Sequence, residues 1–219
     1  MFVLAIDTSS PAVTAGVVSV EGEVVLAAER APLAARGHGE LLASCISDCL
    51  RDAGVEASDL AAVVAGAGPG PFTGLRVGLV TAAAFADAIG APTYGVCSLD
   101  AIAVACADER GLLVVTDARR REVYWARYQH GTRIGEPAVG PATDVPLEDL
   151  TAVAGAGGEL YADVWPDVRR RTERYPDPVA LVQCALPRIE AQAGSEPLTP
   201  LYLRRPDAVV PGTPKTVTR

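Results

Sequence analysis

Phe2-Val-Leu-Ala-Ile6, five apolar residues closed by the polar turn Asp7-Thr-Ser-Ser-Pro11, opens the chain, and a β-rich stretch from Val13 to Val20 follows directly. An apolar run that stops at a turn and resumes as a second β-rich run reads as a hairpin opening a sheet. Glu21-Gly22-Glu23 is a further turn, and Val24 to Glu29 reads as a third strand of the same antiparallel meander. The pattern returns downstream. Leu112-Leu-Val-Val-Thr-Asp117 is again an apolar strand ending in aspartate, and Val123 to Tyr128 is again a strand beyond a polar turn. Adding 110 to Asp7 and to Val13–Val18 lands on Asp117 and Val123–Tyr128, which points to two duplicated α/β lobes.

Helices fill the space between these hairpins. From Glu40, the residues Leu41, Leu42, Cys45, Ile46, Cys49 and Leu50 share one side of a helix, with Glu40, Ser44, Ser47, Asp48 and Arg51 on the other, and Gly54 ends it. Leu60 to Ala65 reads as a buried strand, the turn-dense loop Gly66 to Gly74 follows, and a second helix runs from Leu75 to Ile89. In that helix only Arg76, Thr81 and Asp87 bring polar side chains, so it needs cover on several sides, one of which a partner can supply. Tyr94–Cys97 is read as a strand and Ser98 through Ala107 as a helix. The second half is expected to hold a Pro/Gly-rich connector from Gly135 to Pro146, a short helix near Leu147–Thr151, a strand-to-helix turn at Gly155–Gly158, and a helix opened by Asp177-Pro178. The expected units are 1–108, 109–205 and a disordered tail from Pro206 to Arg219.

A chain of 219 residues with 49% apolar and 21% charged residues can bury a core without staples. Its net charge of −8 disfavours a bare grip on phosphodiester backbones, so contact with nucleic acid is expected only through a partner. Five cysteines without a Cys-x-x-Cys pair, no cationic leader and no long uncharged apolar run are read as a reduced, cytoplasmic protein without a membrane segment.

Candidate chemistry is sparse. The Asp7-Thr8 turn can approach phosphate and hold a magnesium ion through water, or serve simply as a polar turn. Gly68, Gly70, Thr73 and Gly74 lie in a loop that leads into a helix N-terminus and can gather backbone N–H groups around an anion, although neither the Walker pattern nor the dinucleotide fingerprint is present. Gly157 can bring a backbone close to an adenosine or mark a plain turn. His38 lacks neighbours at ligand spacing, so no metal site is expected, and neither Gly-x-Ser-x-Gly nor a supported histidine offers nucleophilic catalysis. Arg119-Arg120-Arg121 crowds the second turn with bulky side chains that can meet an anion, an acidic partner or solvent.

Leu4-Ala-Ile-Asp-Thr-Ser9, His38-Gly-Glu-Leu-Leu42, Gly68-Pro-Gly-Pro-Phe-Thr-Gly-Leu-Arg-Val-Gly78, Ser98-Leu-Asp-Ala101, Asp117-Ala-Arg-Arg120 with Glu122-Val-Tyr124, and Pro200-Leu-Tyr-Leu-Arg204 together resemble the bacterial TsaB (YeaZ) family, in that family's order up to Arg204. Pro71 departs from the serine often found there. The resemblance implies an actin/Hsp70-like (ASKHA) α/β fold of two duplicated lobes, with mixed sheets flanked by helices. It implies a non-catalytic paralogue of the transferase TsaD, required for threonylcarbamoylation of the adenosine beside the anticodon in ANN-reading tRNAs. TsaD as heterodimer partner, the ATPase TsaE, and a homodimer in isolation are the implied partners, with tRNA reached only through the complex. No cofactor of its own is expected, and ATP or ADP with Mg is assigned to the complex interface. The implied partner surface comprises His38, Leu41, Leu42, Cys45, Cys49, Leu75, Val77, Val80 and Ala84. The enzyme alternative is an ATP-dependent kinase or ATPase of the same fold; a peptidase ranks behind it.

Overall fold

The computed structural model describes residues 1–34 and 37–204; the expected tail from Pro206 lies outside the described residues. Two five-stranded sheets of the same strand order form the framework. The first runs β3-β2-β1-β4-β5, from β1 (Phe2–Asp7), β2 (Thr14–Glu21), β3 (Glu23–Arg30), β4 (Leu60–Gly66) and β5 (Thr93–Val96). The second runs β8-β7-β6-β9-β10, from β6 (Gly111–Arg119), β7 (Glu122–Gln129), β8 (Thr132–Pro141), β9 (Ala152–Ala154) and β10 (Arg169–Arg170).

Strand directions match throughout. In each sheet three strands form an antiparallel meander and two more add in parallel to its first strand. The match extends to single hydrogen bonds: the Ser9 N–H donates to Asp7 Oδ1 at 2.8 Å, and the Arg119 N–H donates to Asp117 Oδ1 at 2.8 Å. The offset of 110 residues is therefore a structural duplication, and the fold is the expected actin-like α/β arrangement.

Helices α1 (His38–Ala53) and α2 (Phe72–Ile89) cover one face of the first sheet, where Leu42, Ile46, Leu75 and Leu79 join Leu4, Ile6, Val17 and Val63 in one apolar cluster. Left-handed Gly54 and Gly90 end the two helices. By length and composition α2 would suffice to cross a membrane, yet Leu75, Leu79, Ala82 and Ala86 are buried in this cluster.

The lobes exchange helices across the expected boundary at residue 108. Leu99, Ile102 and Ala103 of α3 (Ser98–Val104) pack on Leu112, Val114 and Ala126 of the second sheet. Ala180, Leu181, Val182 and Ala185 of α5 (Pro178–Glu190) pack on Val3, Ala5 and Val64 of the first. Each inner helix thus follows one sheet in sequence and buries its apolar face on the other. The strap 195–204 also returns to the first lobe, with Leu201 N–H donating to Ala67 O at 2.8 Å.

The connector expected from Gly135 is largely the edge strand β8, which tolerates Pro137 and Pro141 because an edge needs only one side paired. No helix forms at 147–151; a single 3₁₀ turn, Ala142–Asp144, precedes it, and Val145 and Leu150 reach the core from irregular backbone. The short helix α4 (Ala156–Leu160) follows β9.

Candidate functional site

Gly66, Gly70, Gly74 and Gly78 recur every fourth residue, and each leaves room for the Asp7–Ser9 turn. A Cβ on Gly66 would lie 1.8 Å from Asp7 Oδ2, on Gly70 2.1 Å from Ser9 O, on Gly74 2.8 Å from Thr8 O, and on Gly78 2.3 Å from Thr8 Oγ1. The glycine-rich loop is therefore a socket for the chain's own first turn, which explains why glycine rather than alanine is needed there.

Polar bonds fasten the turn in place. Thr8 Oγ1 donates to Gly74 O at 2.7 Å and accepts from the Gly78 N–H at 3.0 Å, so one hydroxyl fixes the start of α2 against the end of β1. Asp7 Oδ1 accepts from Ser9 N–H and, at 2.7 Å, from Ser9 Oγ, while Oδ2 accepts from Ser98 Oγ. Ser98 Oγ in turn accepts from the Gly68 N–H at 3.1 Å. Asp7 is 1% exposed. Its carboxylate is engaged by these partners, and the Thr8 hydroxyl by Gly74 and Gly78, so the two residues expected to approach phosphate or magnesium fasten the turn to the glycine loop. Gly68 and Gly70 are buried in the same socket, and Thr73 is exposed on the first turn of α2.

Burial raises the Asp7 carboxyl above its ordinary value, against the opposing pull of the hydrogen bonds from Ser98 and Ser9. A carboxyl raised in the folded state contributes stability that is complete below its unfolded value of 3.8 and is lost as pH rises through the folded value. In denaturant melts at a series of pH values, the stability advantage of the parent over Asp7→Asn should therefore shrink from about pH 4 towards neutrality. A difference independent of pH would contradict this origin of the shift.

The second lobe uses glycine in the same structural sense. A Cβ on Gly157 would lie 2.6 Å from Val115 Cγ1, so this residue seats α4 closely on β6, as a plain strand-to-helix turn requires. Arg119, Arg120 and Arg121 all have positive φ (62°, 54° and 64°) in the β6–β7 turn. Glu122 at its end pairs with Arg204 at 2.7 Å. His38 Nε2 lies 3.3 Å from Ser10 O, so the histidine joins the start of α1 to the first turn.

Among the nine residues expected at a partner surface, burial draws a line. Leu42, Cys45, Cys49 and Leu75 are between 0% and 5% exposed and belong to the core between the helices and the first sheet, so they pack on their own sheet and present little surface. The helical period was right, but the stripe it marked faces inward. Leu41, Val77 and His38 are half-buried, while Val80, at 67%, and Ala84 are exposed. Burial also pushes the thiols of Cys49 and Cys97 up to about 11 and those of Cys106 and Cys184 to about 12, so none is a thiolate nucleophile near neutrality.

Sequence reading missed three residues at the exposed edge of α2. Phe72 and Tyr202 stack with centroids 4.8 Å apart, and the Arg76 guanidinium lies 3.7 Å over the Phe72 ring. The Phe-Thr-Gly-Leu-Arg spacing was visible, but nothing local brings Tyr202 to it across 126 residues. Among the described residues no three His, Cys, Asp or Glu side chains gather as a cation site. A cavity of about 480 Å³ lies between the lobes beside Cys97 and Cys184, and its arginines are paired, Arg133 with Asp100 at 2.8 Å and Arg188 with Glu196 at 3.0 Å.

Residues 31–161 match the family model described as TsaD: tRNA N6-adenosine threonylcarbamoyltransferase. An uncharacterised protein of Mycobacterium tuberculosis is 51% identical over 94% of this chain and 93% of its own length. The tRNA threonylcarbamoyladenosine biosynthesis protein TsaB of Bacillus subtilis is 32% identical over 68% of this chain and 64% of its own length. Its Escherichia coli counterpart is 35% identical over 59% and 55%, respectively. The crystal structure of YeaZ from Pseudomonas aeruginosa superposes with a TM-score of 0.77 at 28% identity, over 92% of this chain and 99% of that one. Because the glycine socket, the doubled sheet and this full-length superposition coincide in one chain, it belongs to the TsaB (YeaZ) family, within the wider TsaD-type domain family.

Proposed function

We propose that this chain is a non-catalytic docking subunit in the formation of N6-threonylcarbamoyladenosine beside the anticodon of ANN-reading tRNAs. It pairs through α1 and α2 with a TsaD-type transferase and works with the ATPase TsaE in the cytoplasm. The observation that carries this reading is the outer face of α2, where Val80, Ala83 and Ala84 stand exposed in the middle of a well-anchored helix. Small and branched apolar residues at such a position let another helix approach closely.

Two further facts support the division of labour. The Asp7-Thr8 turn, which an ATP-using enzyme of this fold would direct at nucleotide, is enclosed by the chain's own glycines. With a net charge of −8, the chain suits a subunit that leaves the tRNA phosphates to its partner. Any ATP or ADP with Mg then lies at the interface with that partner, and self-pairing through the same face is the fallback when the transferase is missing.

The test is reconstitution of tRNA threonylcarbamoylation from TsaD, TsaE and threonylcarbamoyl-adenylate, with and without this protein, beside an ATPase assay on this protein alone. Modification that depends on the chain, with no ATP hydrolysis by the chain itself, is the expected result. Modification indifferent to it, or robust hydrolysis in isolation, would replace this reading with the kinase-like one.

A further inference from the structure

We propose that Arg76 is the receptor for a carboxylate on the partner helix that docks on α2, and that the carboxy-terminal strap presents it. The proposal rests on the docking reading above and adds the chemistry that selects the partner.

Among the described residues Arg76 is not held by a carboxylate of its own chain, as many of the protein's arginines are. Arg30, Arg51, Arg133, Arg171, Arg188 and Arg204 each lie beside a carboxylate of this chain. Arg76 has none among the described residues. Its guanidinium instead lies over Phe72 at 3.7 Å and 5.7 Å from the Tyr202 ring centroid, and its Nε donates to Tyr202 Oη at 2.7 Å. Those contacts use one face and one N–H of the fork, leaving both terminal NH₂ groups for a bidentate acceptor. A stacked guanidinium has already lost much of its rotamer freedom, so a carboxylate that binds it costs little further entropy.

Position gives this cation its role. Thr73, Arg76, Val80, Ala83, Ala84 and Asp87 follow one another at helical spacing on the exposed side of α2. Arg76 stands one turn before the apolar centre at Val80, and Asp87, which also lacks an ion pair among the described residues, stands at the other end. The face is thus positive, apolar and negative in order. A complementary helix carries a carboxylate and a cation about 16 Å apart, which is eleven residues of α-helix. On a chain of net charge −8, one organised positive site at the rim of an apolar patch distinguishes a correctly placed acidic partner from the chain's generally repulsive field.

Tyr202 reaches Arg76 only because the strap is fixed on both sides of it. Leu201 N–H donates to Ala67 O at 2.8 Å, and Arg204 pairs with Glu122 of the second sheet at 2.7 Å. The docking surface therefore joins two distant parts of the sequence.

The test measures affinity of the full chain for the TsaD-type transferase of the same cell, by calorimetry at several salt concentrations, for Arg76→Gln, Arg76→Lys, Tyr202→Phe and Val80→Asp. Arg76→Gln should weaken binding about thirtyfold and flatten its salt dependence while the chain stays folded, because the stack and hydrogen bond it gives up lie at the exposed edge of α2. Arg76→Lys should recover the salt dependence but only part of the affinity, since an ammonium neither stacks as a plane nor forks. Tyr202→Phe should fall between the parent and Arg76→Gln. Affinity within twofold of the parent in Arg76→Gln, while Val80→Asp abolishes binding, would overturn the receptor and leave the docking face standing. Unchanged affinity in both variants would overturn the docking reading and the receptor with it. Loss of self-association alone, read by analytical ultracentrifugation, with transferase binding intact, would assign the arginine to a second copy and likewise overturn the proposal.

Discussion

Gly70→Ala is expected to cost the protein about 4 kcal/mol or more, because the new methyl would lie 2.1 Å from the backbone oxygen of Ser9 and neither segment can yield independently. The Asp7–Ser9 turn closes strand β1 in the middle of its sheet, and Gly70 is followed at once by α2, so relief requires parting helix from sheet. At about 2–4 °C per kcal/mol for a chain of this size, the melting temperature should fall by about 10 °C or more. Gly22→Ala is the matched control. Gly22 has φ +81° with nothing within 4 Å of its Cβ position, so alanine there costs only the left-handed backbone, about 1–2 kcal/mol. Circular dichroism melts of the two variants should differ several-fold in their effect; equal effects would mean that the socket is looser than its contacts imply.

Val80→Asp should leave the fold untouched and abolish association with the transferase. The side chain is 67% exposed in the isolated protein, so a carboxylate there is solvated until a partner covers it. Burying it unpaired on docking costs about 3 kcal/mol or more, which is a loss of affinity of more than a hundredfold. Leu42→Asp offers the contrast that burial dictates. Leu42 is 0% exposed on the inner face of α1, so aspartate there should unfold the first lobe, and any loss of binding would follow from that. Retained binding by folded Val80→Asp would remove α2 from the partner surface.

Much of this fold was legible because its signals are local. The apolar runs ending at Asp7 and Asp117 carried the duplication, and Gly54 and Gly90 marked the ends of both long helices. What stayed hidden depends on contacts between distant segments. No periodicity reveals that α5 belongs to the first sheet, since its apolar face fits either side of the interlobe space, nor that Tyr202 meets Arg76. The packing of the first turn stayed hidden for a related reason. An Asp-Thr-Ser turn beside a glycine-rich loop has the composition of an anion cradle whether the glycines face a ligand or the turn itself, and composition does not show that a Cβ at Gly66 would lie 1.8 Å from Asp7 Oδ2. Periodicity likewise found the apolar stripe of α1 without saying that its own sheet lay underneath.

The two sheets repeat strand for strand, but only the first carries a long helix between its third and fourth strands; the second has a 3₁₀ turn and irregular backbone there. Growth of a filament requires every molecule to offer two unlike surfaces, one for the neighbour ahead and one for the neighbour behind. Among the described residues the long helix pair belongs to the first lobe alone, so the duplication of the sheets does not duplicate the face that α1 and α2 present.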